Sequence, residues 1–173
     1  SFFDQVFPFL TKLGDFKHPV NGNGYFISIN EGLNKYTFLI TLLHEFAHLL
    51  TWEKYKNHVK PHGREWKMEF RNLMKSTLNN IVLPIEIIET LNIYIENPKA
   101  ASCNDIELTK ILRKYDENKS SRLLIELPVN TEFKIYNGRT FIKGETQRKR
   151  IKCMELMTNR NYLFNPVAEV FPL

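Results

Sequence analysis

The chain has 173 residues, room for one domain or a domain with a small appendage, and its 43% hydrophobic content is enough for a core. No apolar run reaches the roughly 18 residues of a membrane-spanning helix and no signal-peptide pattern opens the chain. Cys103 and Cys153 alone make no disulfide framework, which fits a reducing, cytoplasmic setting. The 24 basic residues against 19 acidic ones leave a net charge of +5, a mild lean towards polyanions.

Ser1 is not an initiator methionine, so the chain reads as trimmed or partial. Phe2-Phe3-Asp4-Gln5-Val6-Phe7, with Phe9 and Leu10, is aromatic enough for a packed helix or, in the alternative, a partner-binding patch. Asn21-Gly22-Asn23-Gly24 is a turn signal, and Tyr25-Phe26-Ile27-Ser28-Ile29-Asn30 then alternates like a strand. Asn34 stands where it can cap a following helix. That helix carries Leu39, Ile40, Leu42, Leu43, Phe46, Ala47, Leu49 and Leu50, apolar nearly all round, which predicts burial.

Within it lies His44-Glu45-Phe46-Ala47-His48, the pattern H-E-x-x-H. Four residues of helix advance about 6 Å and 400°, so both imidazoles share one face and are spaced to bind a single Zn²⁺. Glu45 is one step round. It can reach a water on the metal without being a ligand, the geometry of a general base. The competing reading is a solvated polar face, but two histidines and a glutamate in a buried helix require partners, and a metal would satisfy all three.

A third ligand is sought downstream, and Pro61-His62-Gly63-Arg64-Glu65-Trp66 offers one. His62 opens a second helical pattern through Trp66, Phe70, Leu73 and Thr77. The positive helix end disfavours imidazolium there, and Gly63 leaves room for a close backbone approach. His58, in the polar stretch Lys56-Asn57-His58-Val59-Lys60, is the rival ligand. Residues 85–95 read as a third helix, with Ile88, Leu91 and Ile95 on one face, and residues 105–115 as a fourth.

Asp116-Glu117-Asn118-Lys119-Ser120-Ser121 is a polar linker, and beyond it the texture changes. Residues 123–127, 132–136, 140–143 and 150–154 are short strand-like runs, with Asn137-Gly138 as a hairpin turn, and residues 162–164 and 168–171 add a final strand or two. Between Arg122 and Arg160 nine basic residues face four acidic ones. In a strand, Arg148, Arg150 and Lys152 would share one face. Such a row is a candidate nucleic-acid surface; the competing reading is a solvated basic face that blunts a sheet edge.

At His44, Glu45, His48, His62, Gly63 and Trp66 the chain resembles the SprT-like family of zinc metalloproteases, which includes the Spartan proteases acting on DNA–protein crosslinks. The stretches Lys12-Leu13-Gly14-Asp15-Phe16, Leu33 to Leu42 and Asn97-Pro98-Lys99-Ala100 also look like bacterial members. The resemblance implies a zincin-like protease in which a strand beside the metal helix receives the substrate as an added strand. It also implies a C-terminal zinc ribbon, yet the region after residue 120 holds only Cys153 and no histidine, so four ligands cannot be assembled there.

The expected fold is therefore α+β: a mostly helical, zincin-like metalloprotease domain with a small sheet over residues 1–119, then a small antiparallel β module over residues 120–173. The expected reaction is peptide-bond hydrolysis of a protein or peptide substrate, with DNA as a candidate partner and no membrane. His44, His48 and His62 hold Zn²⁺ and Glu45 is the base. Tyr25, Tyr55 and Arg64 are candidates to stabilise the oxyanion. The alternative is a non-catalytic, zinc-containing binding module acting through its basic strands.

Overall fold

The computed structural model describes residues 12–20, 24–117 and 120–173. The aromatic segment at Phe2 to Leu10, the Asn21-Gly22-Asn23 turn and Asn118-Lys119 of the polar linker lie outside the described residues. Among those described, the chain is α+β, with four α-helices and two antiparallel sheets. Two compact units are distinguished, Lys12–Asp116 and Glu117–Leu173. No helix among the described residues is long and apolar enough to cross a membrane.

The first unit opens with β1 (Gly14–Lys17) and β2 (Phe26–Ile29), an antiparallel pair in which Phe16 lies opposite Ile27. β2 is the predicted strand. β1 has no strand signal of its own, since Gly and Asp are depleted in strands; it exists because β2 and the helix beside it supply the partners. Helices follow at α1 (Lys35–Tyr55), α2 (Arg64–Leu78), α3 (Ile85–Tyr94) and α4 (Ile106–Arg113). Their core is Ile40, Ala47, Trp66, Phe70, Met74, Ile87, Leu91, Tyr94, Ile95, Leu108 and Leu112.

α1 departs from the expected all-round burial. Its buried residues are Ile40, Thr41, His44, Glu45, Ala47 and Thr51, while Phe38 and Phe46 are more than 40% exposed. The helix is covered along the face bearing the polar motif, and part of its apolar surface faces solvent. On α3 the inward row is Ile87, Leu91 and Tyr94, with Ile88 only half-buried.

Asn34 joins the two ends of this unit. Its Oδ1 accepts from the backbone N–H groups of Tyr36 and Thr37, both at 3.0 Å, capping α1. Its Nδ2 donates to the Leu112 carbonyl at 3.0 Å and to Asp116 Oδ1 at 2.5 Å, at the far end of α4. Tyr36 and Tyr115 meet edge to face nearby, with ring centroids 4.6 Å apart.

The second unit is a six-stranded antiparallel sheet in the order β3-β8-β4-β5-β6-β7, formed by β3 (Arg122–Leu123), β4 (Glu132–Lys134), β5 (Thr140–Gln147), β6 (Arg150–Glu155), β7 (Asn161–Phe164) and β8 (Glu169–Pro172). The run expected as a strand at residues 123–127 becomes a two-residue strand followed by a 3₁₀ turn, Leu124–Glu126. Leu124 and Leu127 are still buried, and a turn delivers both to the core. Asn137-Gly138 forms the predicted tight turn, with Gly138 at φ +83°.

The basic row also differs from expectation. Arg148 and Lys149 form the two-residue turn between Gln147 and Arg150, with Arg148 at φ +55°, so Arg148 is not in the strand. Arg150 and Lys152 do share the outer face of β6, because Ile151, Cys153 and Glu155 point inward. Two further cations are committed to structure. Lys143 is buried, its Nζ donating to the Ile125 and Leu127 carbonyls. Arg139 pairs with the buried Glu155 at 2.5 Å, and this contact, with a Thr158 hydrogen bond, holds the carboxyl down at about 2.

Replacing Asn34 by alanine removes the α1 cap and both links to α4, and should destabilise the first unit by about 2 kcal/mol. Both tryptophans, Trp52 and Trp66, lie in that unit, so urea unfolding followed by tryptophan fluorescence reads it directly. An unchanged midpoint in N34A would show that the link carries no stability.

Candidate metal centre

Two segments converge at one point. His44 and His48 come from successive turns of α1, and His62 comes from the residue before the N-cap of α2. His62 is placed by its backbone, at φ +59°, a left-handed conformation that non-glycine residues seldom adopt. The Gly63 N–H donates to the Lys60 carbonyl at 2.9 Å, closing the turn. A Cβ at Gly63 would stand 2.9 Å from that same carbonyl oxygen, so the close approach requires glycine.

His62 Nε2 lies 3.1 Å from His44 Nε2 and 2.9 Å from His48 Nε2. One donor atom from each ring lies within 4.8 Å of the others. Ligand nitrogens about 2.0–2.1 Å from a tetrahedral zinc stand about 3.3–3.4 Å apart, so the two separations from His62 come within about half an ångström of those in such a shell. Trp66 floors the cluster, its ring 4.6 Å from His44 and 4.7 Å from His62, and stacks on Phe70 at 5.1 Å.

The electrostatics favour a cation over protons. Burial, then repulsion from His48 and His62, pushes His44 down to about 3. Burial and the neighbouring His62 push His48 to about 4, and burial lowers His62 as well. All three rings are therefore neutral near pH 7, with lone pairs available, as a zinc site requires. Among the described residues, Thr41 Oγ1, His44 Nδ1 and Trp66 Nε1 are buried at this site without hydrogen-bond partners, a cost that a purely structural core would avoid. A nitrogen-only donor set of three neutral imidazoles fits zinc, and no fourth His, Cys, Asp or Glu joins the group among the described residues.

Glu45 is only 6% exposed. Burial, reinforced by Asp15, raises its carboxyl to about 7, while Lys12 and the backbone amide of Phe16 act the other way. A base is most useful when poised near the working pH. His58 is exposed in the 3₁₀ turn Lys56–His58 and is absent from the cluster, so the rival third ligand is not brought in. Of the oxyanion candidates, Tyr25 stacks on Phe16 at 6.3 Å, and Phe16 stacks on His48 at 6.5 Å. Tyr55 ends α1, and Arg64 begins α2 on its exposed side.

No motif spacing in the sequence singles out Gly14 and Phe16, which lie against Glu45 and His48. The Lys12-Leu13-Gly14-Asp15-Phe16 stretch was notable only as part of the family-like pattern. Its role depends on β1 lying over α1, which no local periodicity encodes.

Residues 23–87 match the model of the SprT-like family. The matched span is a little over a third of the chain and holds β2, α1 and α2, with all three histidines and Glu45. No curated protein and no solved structure matches the chain.

Purified protein should contain about one equivalent of zinc per chain by atomic emission, and H44A, H48A and H62A should each lose most of it. H58A should keep it. Loss in H58A with retention in H62A would reverse the choice of third ligand.

Proposed function

We propose that this protein is a zinc-dependent metallopeptidase of the SprT-like kind, hydrolysing peptide bonds in protein substrates through a zincin-like site. The observation that carries this reading is the convergence of His44, His48 and His62, with Glu45 buried one step round the same helix. A donor set of three protein nitrogens leaves a tetrahedral ion one position for water or substrate, as catalytic zinc sites do, and a bound zinc supplies a Lewis acid and an acidified water.

The chain's own residues do the rest. His44, His48 and His62, all neutral, would hold the ion. Glu45 takes a proton from the attacking water at its carboxylate and hands it to the leaving amine. Among the described residues neither strand of the β1–β2 sheet pairs with a third, and an extended substrate can add there as a strand. Residues 1–119 are the catalytic domain in this reading, the remainder an accessory β module, and the setting cytoplasmic.

E45Q keeps the shape of the side chain and removes the base. Zinc should stay bound, and hydrolysis of fluorescein-labelled casein should fall by a factor on the order of 10² or more. Parent-like turnover in E45Q would overturn the assignment.

A second reading, a zinc-containing binding module, draws on the cations of the β5–β6 hairpin. Arg150 and Lys152 share the outer face of β6, and Arg148 occupies the adjoining turn. Duplex DNA bound there should weaken with a log–log salt slope of roughly −0.9 per phosphate neutralised, and the variant lacking all three charges should show a shallower slope. Equal slopes would leave this surface as ordinary solvated charge.

A further inference from the structure

β1 runs along α1 in step with it. Gly14, Phe16 and His18 face Glu45, His48 and Trp52 in turn. A Cβ built on Gly14 would reach within 3.0 Å of the Glu45 side chain; the Phe16 ring lies parallel to His48 at 6.5 Å; and His18 stacks on Trp52 with centroids 3.9 Å apart. Two strand residues advance about 6.6 Å and three or four helix residues about 4.5–6 Å, so the two repeats keep pace over this length.

Gly14 is the point of closest approach. Its backbone is ordinary extended strand, so glycine is not needed there for its conformational freedom. It is needed for space. A Cβ would lie 2.8 Å from Thr41 Cγ2, 2.9 Å from Glu45 Oε1 and 3.0 Å from Glu45 Cγ. These neighbours differ in how they can yield. Thr41 is β-branched, buried and stiff about χ1. Glu45 ends in a carboxylate on a chain of rotatable bonds, so it moves first.

We infer that Gly14 is a positioning residue for Glu45: the missing side chain at this point of β1 lets the carboxylate sit against the strand, in the place from which it works. The inference rests on the reading of Glu45 as general base given above. It gives Gly14 a part in the catalytic arrangement through Glu45 alone, and ties the strand to the base by sterics. A misplacement of about 1 Å in such a group costs on the order of 10² in rate.

The test is G14A, with G14A/T41S as the relieving partner and E45D as a variant that leaves the strand untouched. G14A should bind one zinc and melt within a few degrees of the parent. Its kcat on fluorescein-labelled casein should fall on the order of 10² with KM within about twofold. Removing Thr41 Cγ2 in G14A/T41S should recover part of that kcat. A readout independent of metal and substrate is the Phe16 backbone amide in ¹H–¹⁵N spectra of the zinc-free protein, which reports its contact with the Glu45 carboxylate. G14A and E45D should both shift it. Parent-like kcat in zinc-loaded G14A, or an unmoved Phe16 amide in either variant, would overturn the inference. A parent protein that cuts no casein would count against the peptidase reading alone, and the amide shifts would still decide the positioning.

Discussion

Three imidazole nitrogens crowd into one partly buried spot, and much of the first unit follows from holding them there. Each ring loses hydration, and each would repel the others if protonated, so the cluster is neutral and rich in lone pairs. A helix alone brings two of the rings together, because residues four apart share a face. The third needs a chain reversal tight enough to return within reach. That is the task of the left-handed His62, of the glycine after it and of the hydrogen bond back to Lys60. Trp66, in the first turn of α2 and fully buried, then packs against the His44 and His62 rings.

Helix α1 serves two neighbours at once. It packs against α2 and against the β1–β2 pair, and the polar side chains of the motif lie in the covered region. Burying His44, Glu45 and Thr41 while leaving Phe38 and Phe46 exposed runs against simple partition energetics. The arrangement is sustained by the apolar core that α1 shares with the other helices, by the Asn34 link to α4 and by the Lys54–Glu69 ion pair between α1 and α2, at 2.7 Å. Local cost at a site, offset by packing elsewhere in the same unit, is the usual energetic pattern of functional constellations.

The second unit is a small sheet whose described residues gather no cluster of metal-ligating side chains. Its core is a run of aromatic contacts, Phe133 with Phe141 and Phe164, and Phe141 with Tyr162, on the inner face of the sheet. At the β5–β6 bulge, a Cβ on Gly144 would stand 2.6 Å from the Lys152 carbonyl oxygen, so glycine marks the place where the strands draw together. Positive charge counted along the sequence overstates what this unit offers a polyanion. Lys143 spends its ammonium on buried carbonyls, and Arg139 spends its guanidinium on Glu155 while lying over the rings of Phe141 and Tyr162.

The H-E-x-x-H helix, its Asn34 cap, the α2 pattern and the strand runs after residue 130 were legible in the sequence, because each is a local periodicity or a local turn rule expressed within a few residues. His62 was legible as a candidate from its place before a helix with glycine following, though His58 competed until the chain reversal brought one ring in and left the other in solvent. Tertiary structure alone decided the rest. β1 has no propensity to be a strand and becomes one through β2, while Gly14 matters only because α1 lies beneath it. Arg148 left the expected row because the closing turn of a hairpin takes two residues, and Lys143 left the surface because the carbonyls of a 3₁₀ turn needed a donor. The Arg148 turn closes locally, between Gln147 and Arg150, but Gly14 pairs with Ile29 and packs on Glu45, and Lys143 reaches back to Ile125 and Leu127, contacts that no short window of sequence contains.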